Sequence, residues 1–151
     1  MAKLRITALD GEHQGEVLEA QFNPKEIEVD RTIRWVAPLG RGPLAFLGFE
    51  PARMSFELLF DGAKQSKSVQ PQLDRLHLLS SVDRTLHHPP RVTVALGSGR
   101  GAMPTFEGVI EAVSVRYLKF ATNGVPVRVT ATVKLEEFVP LSRLLEESAP
   151  S

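Results

Sequence analysis

The sequence contains no cysteine, one tryptophan and one tyrosine in 151 residues. Without cysteine, neither a disulfide framework nor a thiolate metal site can form. The 18 Lys and Arg residues balance 18 Asp and Glu residues, so no net charge attracts nucleic acid or an anionic membrane over distance. No apolar run approaches the roughly 18 residues that cross a bilayer, and the N-terminus turns polar too early for a signal peptide. We therefore expect a protein of a reducing compartment that inserts into no membrane.

The length fits one domain, and 42% hydrophobic with 24% charged residues is ordinary for a globular protein. No internal repeat or linker divides the chain. We predict one β-rich domain over residues 1–139, followed by a short tail over residues 140–151.

Alternation of apolar and polar residues predicts β-strands as the main element. The clearest runs are RMSFELLFDG at 53–62, IEVDRTIRW at 27–35 and VPVRVTATVKLEEF at 125–138. Only SVQPQLDRLHLLSSV, residues 68–82, is typical of a helix, because Leu73, Leu76 and Leu79 recur at helical spacing.

Asn123-Gly124 lies between two strand-like runs and is the strongest hairpin signal in the chain. The loop has either two residues or three, Thr122 to Gly124, with the glycine left-handed. A two-residue loop places Val113 and Val115 opposite polar residues. Either a bulge near residues 117–119 returns them to the apolar face, or both faces of the sheet are partly covered. The second option implies neighbouring chains.

The segment between Trp35 and Pro51 is rich in glycine and proline, yet it is strongly apolar. Loops are usually polar, so this composition predicts a flap over the core or a surface that meets another chain. The candidate interface residues are Leu39, Leu44, Phe46, Leu47 and Phe49.

No residue pattern indicates catalysis, a metal or a cofactor. His87 and His88 are adjacent, and neighbours on an extended chain point in opposite directions, which disfavours a shared metal. The stretch GSGRG at 97–101 matches neither phosphate-binding glycine motif, and no helix pattern follows it. The glutamate pairs at 136–137 and 146–147 are typical of a solvated surface. We therefore predict no catalytic, metal-binding or cofactor-binding residue.

Four segments, taken in order, resemble the N-terminal domain of contractile injection system tube proteins. They are FNPKEIEVDRTIRW, PLAFLGFEPARMSFELLFDG, HHPPRVTVALGS and FEGVIEAVSVRYLKFATNGVPVRVTATVKLEEF. The most specific parts are FNP, the LFD that closes an alternating strand, PP before a strand, and the F-x-x-x-G-x-P-x-R hairpin from Phe120 to Arg128. The resemblance covers residues 3–139. The LysM module that these phage-tail-like baseplate proteins often carry is absent from the 151 residues.

The resemblance implies a tail-tube-like β-barrel or rolled antiparallel sheet with one helix, similar to haemolysin-coregulated protein. It also implies a ring, with six copies expected, at the base of the inner tube. The implied partners are the spike-hub protein, the tube protein and baseplate components, in a particle assembled in the cytoplasm and released from it. One sheet face would line the lumen, and the candidate lumen-facing residues are Glu28, Asp30, Arg128, Thr130, Thr132 and Lys134.

The sequence thus predicts a structural tube-initiation or adaptor protein without enzymatic activity. Two alternatives stay open: an inner-tube shaft subunit, and a solitary β-barrel that binds a small ligand or an oligonucleotide. Self-association distinguishes the first two functions from the third.

Overall fold

A computed structural model describes residues 2–65 and 67–138, and the predicted tail over 140–151 lies outside these residues. Within the described part, the chain forms nine β-strands and one α-helix. The strands are β1 (Leu4–Ala8), β2 (Val17–Glu19), β3 (Ile27–Asp30), β4 (Ile33–Val36), β5 (Ala45–Phe49), β6 (Arg53–Asp61), β7 (Val92–Leu96), β8 (Phe106–Phe120) and β9 (Pro126–Glu137), and the helix is α1 (Gln70–Ser80).

Seven strands make one antiparallel sheet in the order β2-β1-β7-β8-β9-β6-β3, while β4 and β5 pair only with each other. The predicted fold class, mainly β with one helix and a rolled antiparallel sheet, is confirmed, although the sheet does not close into a barrel. A side-chain contact links two distant strand ends instead. The Gln21 amide, just after β2, donates to the Asp61 carbonyl at 2.8 Å and accepts from the Asp61 N–H at 2.7 Å.

The hydrophobic core lies against one face of this sheet, because alternation along a strand sends every second side chain to that face. In β6 the buried residues are Met54, Phe56, Leu58 and Phe60, as the sequence pattern predicts. The helix α1 buries Leu73, Leu76 and Leu79 in the same core. Each fully buried side chain of this size stabilises the fold by about 1.5–3 kcal/mol.

The β8–β9 hairpin has the three-residue loop, Thr122 to Gly124, and the bulge that the sequence left open. Ala121 and Val125 are hydrogen-bonded across the loop, and Gly124 has φ 85°, in the left-handed region that glycine tolerates best. The strand register shifts between Tyr117 and Lys119. A second shift between Lys119 and Phe120 offsets this one, so the three-residue loop itself sets the register that places Val113 opposite Val133 on the apolar face.

The predicted strand over residues 27–35 is divided at Arg31 and Thr32. Its first half, β3, pairs with β6 in the main sheet, and its second half, β4, pairs with β5 in a separate hairpin. Part of the segment expected to be a loop, residues 36–49, is consequently strand β5. The tip of this hairpin contains a tight turn at Pro38–Gly40, where Leu39 adopts φ 55°.

A buried carboxylate holds the loop between α1 and β7. Asp83 is 5% exposed and accepts hydrogen bonds from the Thr85 hydroxyl at 2.6 Å and from the Glu12, Thr85 and Leu86 N–H groups. The Thr85 hydroxyl is the largest cause of a lowered pKa, and together these donors outweigh the effect of burial and lower the pKa of Asp83 from 3.8 to about 2. Asp83 thereby joins the loop over residues 83–88 to the loop that follows β1.

The hydrogen bonds of the Asp83 carboxylate predict that the fold loses stability in acid. Because the folded-state pKa of Asp83 lies below its unfolded-state value, its stabilisation is complete above about pH 4 and is lost as the pH falls towards about 2. Asp83→Asn is expected to lower the urea midpoint at neutral pH and to flatten its dependence on pH in that window. The measurement is urea unfolding followed by circular dichroism, with the exposed Asp74→Asn variant as control. Equal pH slopes for wild type and Asp83→Asn would contradict this role.

Candidate assembly surfaces

The four strands β3, β6, β9 and β8 form a unit with two distinct ends. β6 runs from Arg53 to Asp61, and β9 runs antiparallel to it, so Glu136 lies beside Arg53 and Arg128 beside Asp61. We call the end at Arg53 the hairpin end, because the β4–β5 hairpin leaves the sheet there. The end at Asp61 is the turn end, since the β8–β9 turn lies beside it.

The β4–β5 hairpin exposes a concentrated apolar surface. All five predicted interface residues lie on it or at its tip and are exposed, with Leu39 101% accessible. Phe46 lies 5.6 Å from the Trp35 ring and 5.2 Å from the Phe49 ring, measured between centroids. Trp35, the last residue of the predicted strand over residues 27–35, therefore belongs to the same surface.

The base of this hairpin is tied to the end of β9 by one residue. The Glu137 carboxylate contacts the Arg31 guanidinium at 3.4 Å, before β4, and the Ala52 N–H at 3.3 Å, after β5. The Glu137 N–H also donates to the Ala52 carbonyl at 2.8 Å. Glu137 thus fixes both chain segments through which the hairpin joins the sheet.

The six predicted lumen-facing residues share one face of the sheet, opposite the core. The strand registers align Glu28 with Ser55 and Lys134, and they align Asp30 with Arg53. Thr132, Thr130 and Arg128 continue the same face along β9, opposite Glu57, Leu59 and Asp61. The structure therefore brings the six side chains together, while their lining of a lumen stays a prediction.

This polar face carries two shallow depressions. The larger, about 700 Å³, lies between the segment 22–26 and the sheet, and its lining includes Phe22, Lys25, Glu57 and Thr132. The smaller, about 330 Å³, includes Glu28, Asp30, Arg53, Glu111 and Lys134 in its lining. Both are open to the surface.

An ion pair marks the turn end of this face. Asp61 accepts from the Ala63 N–H at 2.9 Å and from Arg128 Nε at 3.0 Å. The Ala63 hydrogen bond first, and then the Arg128 guanidinium and the more distant Lys119, lower the pKa of Asp61 against the opposing effect of burial. Arg128 therefore pairs with the carboxylate at this end of β6, and Lys119 lies opposite Arg128 on the neighbouring strand.

The four-strand unit has two edges that no strand covers in the described residues. β7 pairs with β8 only from Phe106 to Gly108, so residues 109–120 of β8 have a strand neighbour on the β9 side alone. At the other edge, β3 pairs only with β6. Apolar side chains on the core side accompany both edges, with Val29 on β3 and Val113 and Val115 on β8.

Sequence reasoning missed the aromatic pair at the turn end. The rings of Tyr117 and Phe120 stack with centroids 6.0 Å apart, and Leu118 is exposed beside them. The bulge between Tyr117 and Lys119 changes which side chains share a face, so alternation did not group them.

The residues considered for chemistry lie apart from these surfaces. Within residues 2–65 and 67–138, no three His, Cys, Asp or Glu side chains are grouped to hold a metal ion. His88 contacts the Pro89 carbonyl at 2.8 Å, and His87 adopts φ 62°. The described helix is too short to span a membrane. The absence of catalysis and of cofactors remains a prediction.

Comparison with known proteins identifies the family of the chain. No curated protein matches the chain. The family model described as "Contractile injection system tube protein" matches residues 1–145. That match covers the β-sheet, the helix and both candidate surfaces. The chain therefore belongs to the contractile injection system tube protein family.

Proposed function

We propose that the protein is a structural tube-initiation or adaptor subunit that forms a ring between the spike-hub complex and the inner tube. The observation that carries the proposal is the pair of uncovered edges on the unit β3-β6-β9-β8. Exposed strand edges are avoided in monomeric proteins unless something covers them. A neighbouring copy is the covering partner that the family membership favours.

The two edges are compatible in strand direction. β3 and β9 each run antiparallel to β6, and β8 runs antiparallel to β9, so β3 and β8 run in opposite directions. Rotation about an axis along the strands preserves these directions. It therefore places β3 of one copy antiparallel to β8 of the next, which permits ordinary ladder hydrogen bonds.

The two edges are also compatible in their faces. The core-side residue Val29 of one copy would meet Val113 and Val115 of the next, and the polar faces would become continuous. A closed ring built in this way covers both of these edges and lines its lumen with the face that holds Glu28, Thr130 and Lys134. Six copies remain the expected number from the resemblance.

The hairpin gives the ring a second kind of contact. Its apolar surface projects from one end of the sheet, where it can reach a neighbouring subunit, another ring or the spike-hub complex. An apolar surface with aromatic residues at its centre is typical of protein–protein interfaces. We assign to the protein no chemistry of its own, and we place its assembly in the cytoplasm, with release in the particle.

Stoichiometry in native particles tests the adaptor role against the shaft role. We expect the protein to sediment with sheath and tube proteins at few copies relative to the most abundant tube protein. A copy number equal to that of the shaft would assign it to the shaft instead. If the protein stays with small soluble proteins while intact particles sediment, the assembly function is wrong, and ligand binding by a solitary β-domain becomes the function to test.

A further inference from the structure

The side of β6 that faces β3 is only partly covered. β3 pairs with β6 over Arg53–Phe56, while β9 accompanies β6 along its whole length. Gly62, just after β6, donates its N–H to the Val127 carbonyl on the β9 side. Because alternate residues of a strand bond to opposite sides, the N–H and C=O groups of Glu57 and Leu59 point away from β9. Among residues 2–65 and 67–138, none forms a hydrogen bond with these outward groups.

The next position along this edge is filled by a side-chain amide. Gln21 Nε2 donates to the Asp61 carbonyl at 2.8 Å, and Gln21 Oε1 accepts from the Asp61 N–H at 2.7 Å. A primary amide offers the same donor and acceptor as a peptide group, so Gln21 bonds to this edge as a neighbouring strand would. Between β3 and Gln21, the backbone of Glu57 and Leu59 therefore forms an open slot for strand addition.

The sequence before β3 prevents this strand from extending into the slot. In the register of β3 with β6, Glu26 would lie opposite Glu57, and Pro24 would lie opposite Leu59. Like charges directly opposite each other are destabilising, and proline has no N–H to donate to the Leu59 carbonyl. The slot is consequently left open by the residues that precede β3.

The FNP motif attaches this part of the chain to the N-terminal residues. The Asn23 side chain accepts from the Leu4 N–H at 2.9 Å and donates to the Ala2 carbonyl at 2.8 Å. Lys3 Nζ lies 5.9 Å from the centroid of the Phe22 ring. These contacts fix Phe22 and Asn23 beside β1, so the motif holds one wall of the slot apart from β6.

The depression of about 700 Å³ on the polar face adjoins the slot, and its lining includes Leu59 and Phe22. Its charged lining comprises three carboxylates and one cation, namely Glu26, Glu28, Glu57 and Lys25. None of these four forms an ion pair in the part of the chain that the structure describes. Leu59 is the one apolar residue on this face of β6, and Phe22 is 47% exposed. A complementary ligand therefore carries a cation and an apolar side chain.

We propose that the slot binds an extended segment of a second protein, which adds to β6 with a cationic side chain opposite Glu57 and an aliphatic side chain opposite Leu59. Hydrogen bonds to the strand edge supply affinity, and alternate side chains supply specificity. In the antiparallel orientation of β3, the aliphatic residue precedes the cationic residue by two positions. The slot is complete in one copy, so this inference does not rest on the proposed ring.

N-methylated peptides test strand addition on the full-length protein. The probe is the fluorescein-labelled peptide amide Ser-Val-Ala-Lys-Ser, with binding followed by fluorescence anisotropy. N-methylation of its valine removes the N–H that bonds to Leu59 and is expected to weaken binding by about tenfold or more. The matched control is N-methylation of its alanine, whose N–H points away from β6. It is expected to change binding by less than about twofold.

Charge reversal tests the identity of the bound side chain. Glu57→Lys is expected to weaken binding of the lysine peptide by about fivefold or more and to favour the peptide Ser-Val-Ala-Glu-Ser instead. Glu12→Lys makes the same change at an exposed site outside the depression and is expected to bind as wild type. Saturation with the lysine peptide is also expected to slow hydrogen exchange of residues 57–60 in the wild-type chain.

Three results would overturn the proposal. The first is an equal effect of the two N-methyl groups, or no binding of the lysine peptide up to about 5 mM. The second is equal binding of the lysine and glutamate peptides to wild type. The third is tighter binding of a peptide with the sequence of residues 139–151, which carries one cation and two carboxylates. That result would assign the slot to this chain and not to a second protein.

Discussion

A chain that carries Phe46→Ser is expected to fold normally and to be depleted from assembled particles by about tenfold or more. Phe46 lies between Trp35 and Phe49, and all three rings are about half exposed in the isolated chain. Truncating a central aromatic residue of an interface typically costs about 2–4 kcal/mol of binding free energy. Since a ring repeats the same contact in each copy, the total loss of binding free energy grows with the number of copies.

Two further variants separate interface loss from local disorder of the hairpin. Leu47→Ser removes an exposed side chain and retains the three aromatic rings, so it is expected to reduce assembly less than Phe46→Ser but in the same direction. Val82→Ser changes an exposed apolar residue after α1 and is expected to assemble as wild type. The readouts are incorporation into particles and the thermal midpoint of the purified chain. Normal incorporation of Phe46→Ser would show that the hairpin is not an assembly surface.

Val29→Lys is expected to prevent ring closure while preserving the folded subunit. Val29 is 51% exposed on the uncovered edge of β3, so the lysine can reach solvent in a single copy. In the ring, the same side chain would lie beside Val113 and Val115 of the neighbour, where an unpaired charge is costly. We expect at least about a tenfold weaker association at each lateral interface.

The matched control for this change is Val29→Thr, which retains a β-branched side chain without charge. It is expected to form rings with only a modest loss. Analytical ultracentrifugation of wild type and both variants gives the ring fraction, and circular dichroism monitors the fold. Equal ring fractions for Val29→Lys and wild type would exclude this edge from the lateral contact.

The sequence predicted those parts of the fold that depend on local alternation. β6 and β9 alternate cleanly, because one face is buried and the other is not, and the leucine spacing of α1 indicated its buried face. The three-residue loop of the β8–β9 hairpin and the bulge in β8 were each among the options considered, since the register of a two-residue loop would have mismatched Val113 and Val115 with β9. These features follow from near neighbours in the chain.

Long-range pairing limited the remaining predictions. The short strand β2 pairs with β1, and β1 pairs with β7, which lies more than 70 residues away in the chain, so no local pattern specifies that contact. Local pattern did not predict the division between β3 and β4 either. The run over residues 27–35 reads as one strand, but β3 pairs with β6 whereas β4 pairs with β5. Composition identified the apolar hairpin residues. Their contact with Trp35 depends on the pairing of β4 with β5.

The most direct test of the ring is disulfide cross-linking between β3 and β8, which benefits from a chain without native cysteine. Glu28→Cys is combined in one chain with Ala112→Cys, Ser114→Cys or Arg116→Cys, which sample the register on the polar face. Within one copy, β3 and β8 are separated by β6 and β9, or roughly 14 Å, beyond the roughly 7 Å that a disulfide bridges. Any cross-link must therefore join different copies.

We predict that at least one of these pairs yields a ladder of covalent oligomers in oxidised particles, ending at a closed ring, while Glu28→Cys alone yields none. A head-to-tail contact has this outcome because each copy offers one cysteine to each neighbour. Only dimers, or no cross-link for any of the three pairs in intact particles, would contradict a ring closed through these two edges.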